Sequence, residues 1–74
     1  MTVKILYCKS CGANLQARRI ADEIKHNFQI ESELLDVGEG RFEVTVNGKP
    51  VFSKAVEGRF PRNGEVTARL RGGA

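Results

Sequence analysis

The sequence predicts a small two-layer α/β domain, and three observations carry that reading. A short β-rich run, Val3–Tyr7, hands over to a stretch of helical period and then to a second β-rich run, which is the pattern of a βαβ unit. Two alternating apolar runs then flank Asn47-Gly48, the preferred dipeptide of a two-residue hairpin. Finally, 74 residues are near the size where a single core just suffices, and no internal repeat or second domain appears in them.

Along the first strand, Val3, Ile5 and Tyr7 point to one side and Lys4 and Leu6 to the other. Apolar residues on both sides suit an interior strand. From about Ala13 to Phe28 the period changes. Ala17, Ile20, Ala21, Ile24 and Phe28 form one apolar stripe, with Gln16, Arg18, Arg19, Asp22, Glu23 and Lys25 facing water. Arg18–Asp22 and Arg19–Glu23 are opposite charges four apart, suited to weak pairs along that wet face. Gln29–Leu35 reads as an edge strand parallel to the first, joined by a right-handed crossover. Asp36-Val37-Gly38-Glu39-Gly40 is a glycine-rich loop, but it lacks the spacing and the following helix of a phosphate cradle.

The hairpin comes next. Phe42, Val44 and Val46 alternate with Arg41, Glu43 and Thr45, and a two-residue turn pairs Val46 with Lys49 and Val44 with Val51. Pro50 has no N–H to offer a ladder, which places its strand at an edge. Ala55–Pro61 is expected to be a loop, broken by Gly58 and Pro61. Glu65–Arg71 can form two helical turns with Val66 and Leu70 inward and Asn63 near the start. It is too short to stand alone and must be held by docking onto the sheet. The expected domain therefore spans 1–71, with 72–74 as a flexible tail.

Composition narrows the function. Net charge is +3 and 28% of residues are charged, but the signs are interspersed. Arg18-Arg19 and the group Arg59, Arg62, Arg69 and Arg71 read as solvated surface, since no basic run or nucleic-acid motif accompanies them. No stretch approaches the ~20 apolar residues of a membrane span, and the first seven residues are too short and charged for a signal peptide. The expected setting is cytoplasmic, with no nucleic-acid or membrane partner and a monomeric or weakly homodimeric state.

The chemistry lies in Cys8-Lys9-Ser10-Cys11-Gly12, at the strand-to-helix junction. A disulfide across two residues closes too small a loop to stabilise a fold, so chemistry is the better reason for it. In a reducing compartment such a pair is more often catalytic or metal-binding than structural. Disulfide exchange needs a thiolate to attack and a second thiol to resolve the mixed disulfide, and two intervening residues at a helical start bring the sulfurs into range. The N-terminal N–H groups of that helix and the nearby Lys9 favour a thiolate, Ser10 is small enough to leave access, and Gly12 closes the loop. A depressed cysteine pKa is therefore expected. The blander alternative is a pair of half-buried thiols with no task. A zinc site is a weaker competitor: it needs four ligands, and the chain offers two cysteines and the distant His26, so a dimer would have to complete it.

Taken together, these residues resemble the selenoprotein W-like (Rdx) family over most of the chain. The resemblance rests on Tyr7-Cys8-x-x-Cys11, Gly40-Arg41-Phe42-Glu43-Val44-x-Val46, Asn47-Gly48, Val51-Phe52-Ser53-Lys54 and Gly58-Arg59-Phe60-Pro61. It implies a thioredoxin-like β-α-β-β-β-α fold, a four-stranded mixed sheet with both helices on one face. It also implies thiol-based redox work in cell redox homeostasis, with glutathione or a redox partner protein as the other party and no bound cofactor. Selenocysteine in that family matches Cys11, which would make Cys11 the attacking group and Cys8 the resolving one. Thioredoxins use the reverse order, so the roles stay open here. No proline precedes the Arg41 strand where thioredoxins carry a cis-proline, and the last segment is shorter than the family's final helix. Leu35, Phe52 or Tyr7 would then lie partly exposed on an uncovered surface. The expected activity is a thiol–disulfide oxidoreductase through Cys8 and Cys11. The alternatives are a redox-responsive protein-binding module without turnover, or a zinc-bridged dimer.

Overall fold

The computed structural model describes residues 1–72. Four strands form one sheet: β1 (Val3–Tyr7), β2 (Ser32–Asp36), β3 (Glu43–Val46) and β4 (Lys49–Ser53), in the spatial order β2-β1-β3-β4. β1 pairs parallel with β2 and antiparallel with β3, so the sheet is mixed and β1 is interior. The helices are α1 (Asn14–Phe28), a single turn α2 (Lys54–Glu57) and α3 (Glu65–Gly72). The thioredoxin-like βαβ–hairpin–helix order is present, with α2 as an addition where a loop was expected. Its closing residue is Gly58, at φ +74°, whose N–H returns to the Lys54 carbonyl.

The core follows the predicted faces. Val3 and Ile5 of β1, Val44 of β3 and Phe52 of β4 meet Ala17, Ile20 and Ile24 of α1 and Val66 of α3. Each of the larger of these side chains, Val, Ile and Phe, contributes roughly 1.5–3 kcal/mol when fully removed from water. Phe42, just before β3, is also buried and meets the Phe60 ring edge-on at 5.2 Å. That contact joins the Gly40-Arg41-Phe42 and Gly58-Arg59-Phe60-Pro61 segments in space. At the hairpin, Asn47 and Gly48 both take positive φ, +53° and +82°, as a type I′ turn requires.

Several local expectations are corrected. The hairpin register shifts between Val44 and Thr45, so Val51 is bulged out and Val44 faces Phe52 instead. An extra residue in one strand moves every later side chain to the opposite face. Phe52 is therefore buried, not exposed, while Leu35 and Tyr7 are half-buried. Residue 72, expected in the tail, ends α3; residues 73 and 74 lie outside the described residues.

The charged face of α1 also works differently from the expected i,i+4 pairs. Arg19 donates to the Pro61 carbonyl at 2.6 Å and to Asn63 Oδ1 at 2.6 Å. Glu23 accepts from the N–H groups of Gly64 and Thr67 and from the Thr67 hydroxyl, at 2.8, 3.2 and 2.7 Å. A carboxylate there satisfies donors that the first turn of α3 leaves unpaired. Together with the buried Val66, these two side chains fasten the start of the short last helix to α1. Arg59 and Arg69 lie over the Phe52 ring and pair with Glu57 and Glu65, so they belong to an ion-pair network rather than an open basic patch. Within it, Arg59 and the Arg62 N–H hold the Glu65 carboxyl down at about 2.

Candidate functional site

Cys8 is the first residue past β1, at the carboxyl end of the parallel β1–β2 pair, where ligand sites of open α/β sheets gather. The cysteines are joined as a disulfide, with their Cα atoms 5.3 Å apart, inside the range that a bridge accepts without moving the backbone. The two are not equivalent. Cys8 is 1% exposed, whereas Cys11 faces solvent.

The motif occupies a turn and not the first turn of the helix, which corrects one premise of the sequence reading. Gly12 takes φ +81°, a left-handed value that its lack of a Cβ permits, and breaks any helix running back through Cys11. The Gly12 N–H donates to the Lys9 carbonyl at 3.0 Å and the Ala13 N–H to the Cys8 carbonyl at 3.2 Å. α1 starts only at Asn14, after Ala13 at its N-cap. The turn, not the helical ladder, brings the sulfurs together, and the helix dipole acts from beyond its first turn, where its effect falls off.

The supporting residues can be placed one by one. Ser10 Oγ lies 3.4 Å from Cys8 Sγ; a disulfide sulfur has no hydrogen, so the hydroxyl is the donor. Lys9 is exposed, and it is tied down through its backbone: the Lys9 N–H donates to Asp36 Oδ1 at 3.1 Å. Asp36 also accepts from the Gly38 N–H at 3.3 Å, and the Val37 N–H donates to the Tyr7 carbonyl at 2.8 Å. The glycine-rich loop therefore abuts the redox turn. Sequence reasoning missed Asp36; its only local signal is an Asp two residues ahead of a glycine, a common turn pattern.

Other features lie elsewhere. An open groove of about 290 Å³, lined by Met1, Val46, Lys49, Pro50, Val51 and Leu70 among others, sits at the opposite end of the strands. His26 is exposed near the end of α1. Among the described residues no three His, Cys, Asp or Glu side chains gather as they would around a metal, and no helix is long and apolar enough to cross a membrane.

Comparison with known proteins agrees with this architecture. A crystal structure of a protein from Bordetella parapertussis superposes with a TM-score of 0.91 at 29% identity, covering 99% of this chain and 96% of that one. The structure of a selenoprotein W-related protein from Vibrio cholerae gives a TM-score of 0.87 at 30% identity, covering 95% and 91%. Among curated proteins, migration and invasion enhancer 1 of Mus musculus is 35% identical and that of Bos taurus 33%, each over 93% of this chain. The chain spans about three-fifths, 61%, of the length of those two relatives. Residues 2–72 match the Rdx family throughout, from β1 through the cysteine turn to the last helix, and the chain belongs to that family.

Proposed function

We propose that this chain is a thiol–disulfide oxidoreductase of the cytoplasm, in which Cys11 attacks and Cys8 resolves. The observation that carries the reading is the asymmetry of one bridged pair: an exposed sulfur joined to a buried one. In the reduced protein the Cys11 thiolate attacks a substrate disulfide, forming a mixed disulfide and expelling one substrate thiolate. Cys8, having lost its proton, then attacks Cys11 Sγ and expels the second. Two electrons pass from the dithiol to the substrate, the two protons leave on the released thiols, and the Cys8–Cys11 disulfide remains. Two molecules of a small thiol such as glutathione, or a reduced partner protein, reset the pair and are themselves oxidised.

Ser10 is suited to stabilise a leaving charge on Cys8, since its hydroxyl already reaches that sulfur. Lys9 adds a nearby cation that favours thiolate, and Gly12 holds the turn. With Cys11 on the surface and the open groove remote from it, a protein disulfide or a small thiol fits better than a substrate needing an enclosed pocket. A monomer or weak homodimer would suffice, and no nucleic acid or bound cofactor enters the scheme.

The test is turnover. Reduction of a dithiol-accepting disulfide substrate with glutathione as donor should proceed with the wild type and fall to background with Cys11→Ser. A wild type that is oxidised once and is not recycled by the thiol would instead support a redox-responsive binding module.

A further inference from the structure

We infer that Asp36 is a positioning residue for the Cys8–Cys11 couple, acting through the backbone between the two sulfurs. The inference rests on the reading of that pair as reversibly oxidised. Asp36 is the last residue of β2 and stands beside Tyr7 in the parallel register. Its Oδ1 accepts from the Lys9 N–H, 27 residues away in the chain, at 3.1 Å. Lys9 is the residue whose carbonyl in turn accepts from the Gly12 N–H, so the turn is held from within by this bond and the Ala13–Cys8 one, and from the neighbouring strand by Asp36. Asp36 is itself anchored: its own carboxylate bonds the Gly38 N–H, and the next residue, Val37, extends the strand pairing to Tyr7.

The consequence is energetic. In the disulfide form a covalent bond keeps the turn shut, but in the dithiol form only these backbone contacts do so. The closer they hold the sulfurs, the higher the effective concentration of one thiol at the other, and the more favourable ring closure becomes. The reaction is protein dithiol plus oxidised glutathione giving protein disulfide plus two glutathione thiols. Two electrons and two protons leave the protein in it. Because the contact is solvent-exposed, its loss should lower the equilibrium constant by about 3- to 10-fold, the range that one net hydrogen bond supports. At 29.6 mV per decade for this two-electron couple, the reduction potential rises by about 14–30 mV.

The test equilibrates wild type, Asp36→Ala and Asp36→Asn with glutathione mixtures at pH 7 and measures the disulfide fraction by acid trapping and mass spectrometry. Asp36→Ala should show the 3- to 10-fold loss. Asp36→Asn, whose amide oxygen accepts the same N–H, should stay within about twofold of wild type. Should Asp36→Ala fail to fold by circular dichroism, Asp36→Val supplies a β-compatible side chain without an acceptor and should show the same loss. An unchanged constant in the acceptor-free variant overturns the inference, and so does an Asp36→Asn shift as large as the Asp36→Ala one. A wild-type pair that does not exchange with glutathione overturns it as well. If the shift appears but the wild type shows no catalytic turnover, the enzymatic reading fails and the role of Asp36 stands.

Discussion

The reduced protein should be alkylated first at Cys11, with Cys8 lagging by about 10- to 1,000-fold. Iodoacetamide must reach a sulfur directly, and Cys8 is 1% exposed while Cys11 is on the surface. To expose Cys8 the turn has to open, which breaks the Ala13–Cys8, Gly12–Lys9 and Lys9–Asp36 hydrogen bonds. At about 0.5–1.5 kcal/mol net for each, opening costs roughly 1.5–4.5 kcal/mol. Reaction through a rare open state is slowed by the corresponding population, one decade for each ~1.4 kcal/mol. The assay is direct, because trypsin cleaves after Lys9 and leaves each cysteine in its own peptide for quantitative mass spectrometry. Comparable rates at the two cysteines, or faster labelling of Cys8, would refute the idea that the turn buries one sulfur and presents the other.

The remaining predictions concern what holds the turn and the last helix in place. Glu23→Ala strips three donors at the start of α3, the Gly64 N–H and the Thr67 N–H and hydroxyl, of their acceptor and should cost about 2–3 kcal/mol; in a domain of this size the melting temperature drops by roughly 10–20 °C, readable by circular dichroism. Phe42→Ala opens a cavity against Phe60 and the sheet and should cost about 3–5 kcal/mol in urea unfolding. Glu65, lowered to about 2 chiefly by its bonds to Arg59, contributes stability that is complete above its ordinary carboxylate value and is lost as pH falls toward 2. After allowance for partial solvent screening this is about 1–2 kcal/mol. The urea midpoint of Glu65→Gln should accordingly fall less than that of wild type between pH 5 and 2.5.

Much of the fold was legible because its signals are local. The stripe Ala17, Ile20, Ile24 and Phe28 specifies one face of α1 at any register of packing, and Asn47-Gly48 specifies a turn by the φ values it accepts. The hairpin register was not legible, because the bulge at Val51 answers to tertiary demand: it turns Phe52 into the core, and Arg69 meets the freed Val51 carbonyl from α3 at 3.0 Å. Arg19 and Glu23 looked like helix-surface partners of their own neighbours, yet both are used by residues more than 40 positions away. Pairwise spacing on a helix cannot anticipate a donor arriving from another element. The cysteine pair was visible from spacing alone. Its enclosure was not: burial of Cys8 and the Asp36 anchor depend on β2 lying beside β1 and on Gly12 turning the chain before the helix starts. Gly12 marked the turn without showing that it displaces the helix start to Asn14.

The division of labour between the two sulfurs is tested most directly by trapping. Reduced Cys8→Ser and Cys11→Ser variants are incubated with oxidised glutathione, and their intact masses are measured. The account predicts that Cys8→Ser accumulates a stable mixed disulfide on Cys11 while Cys11→Ser stays essentially unmodified. Glutathione carried by Cys11→Ser alone, or by neither variant, would contradict it.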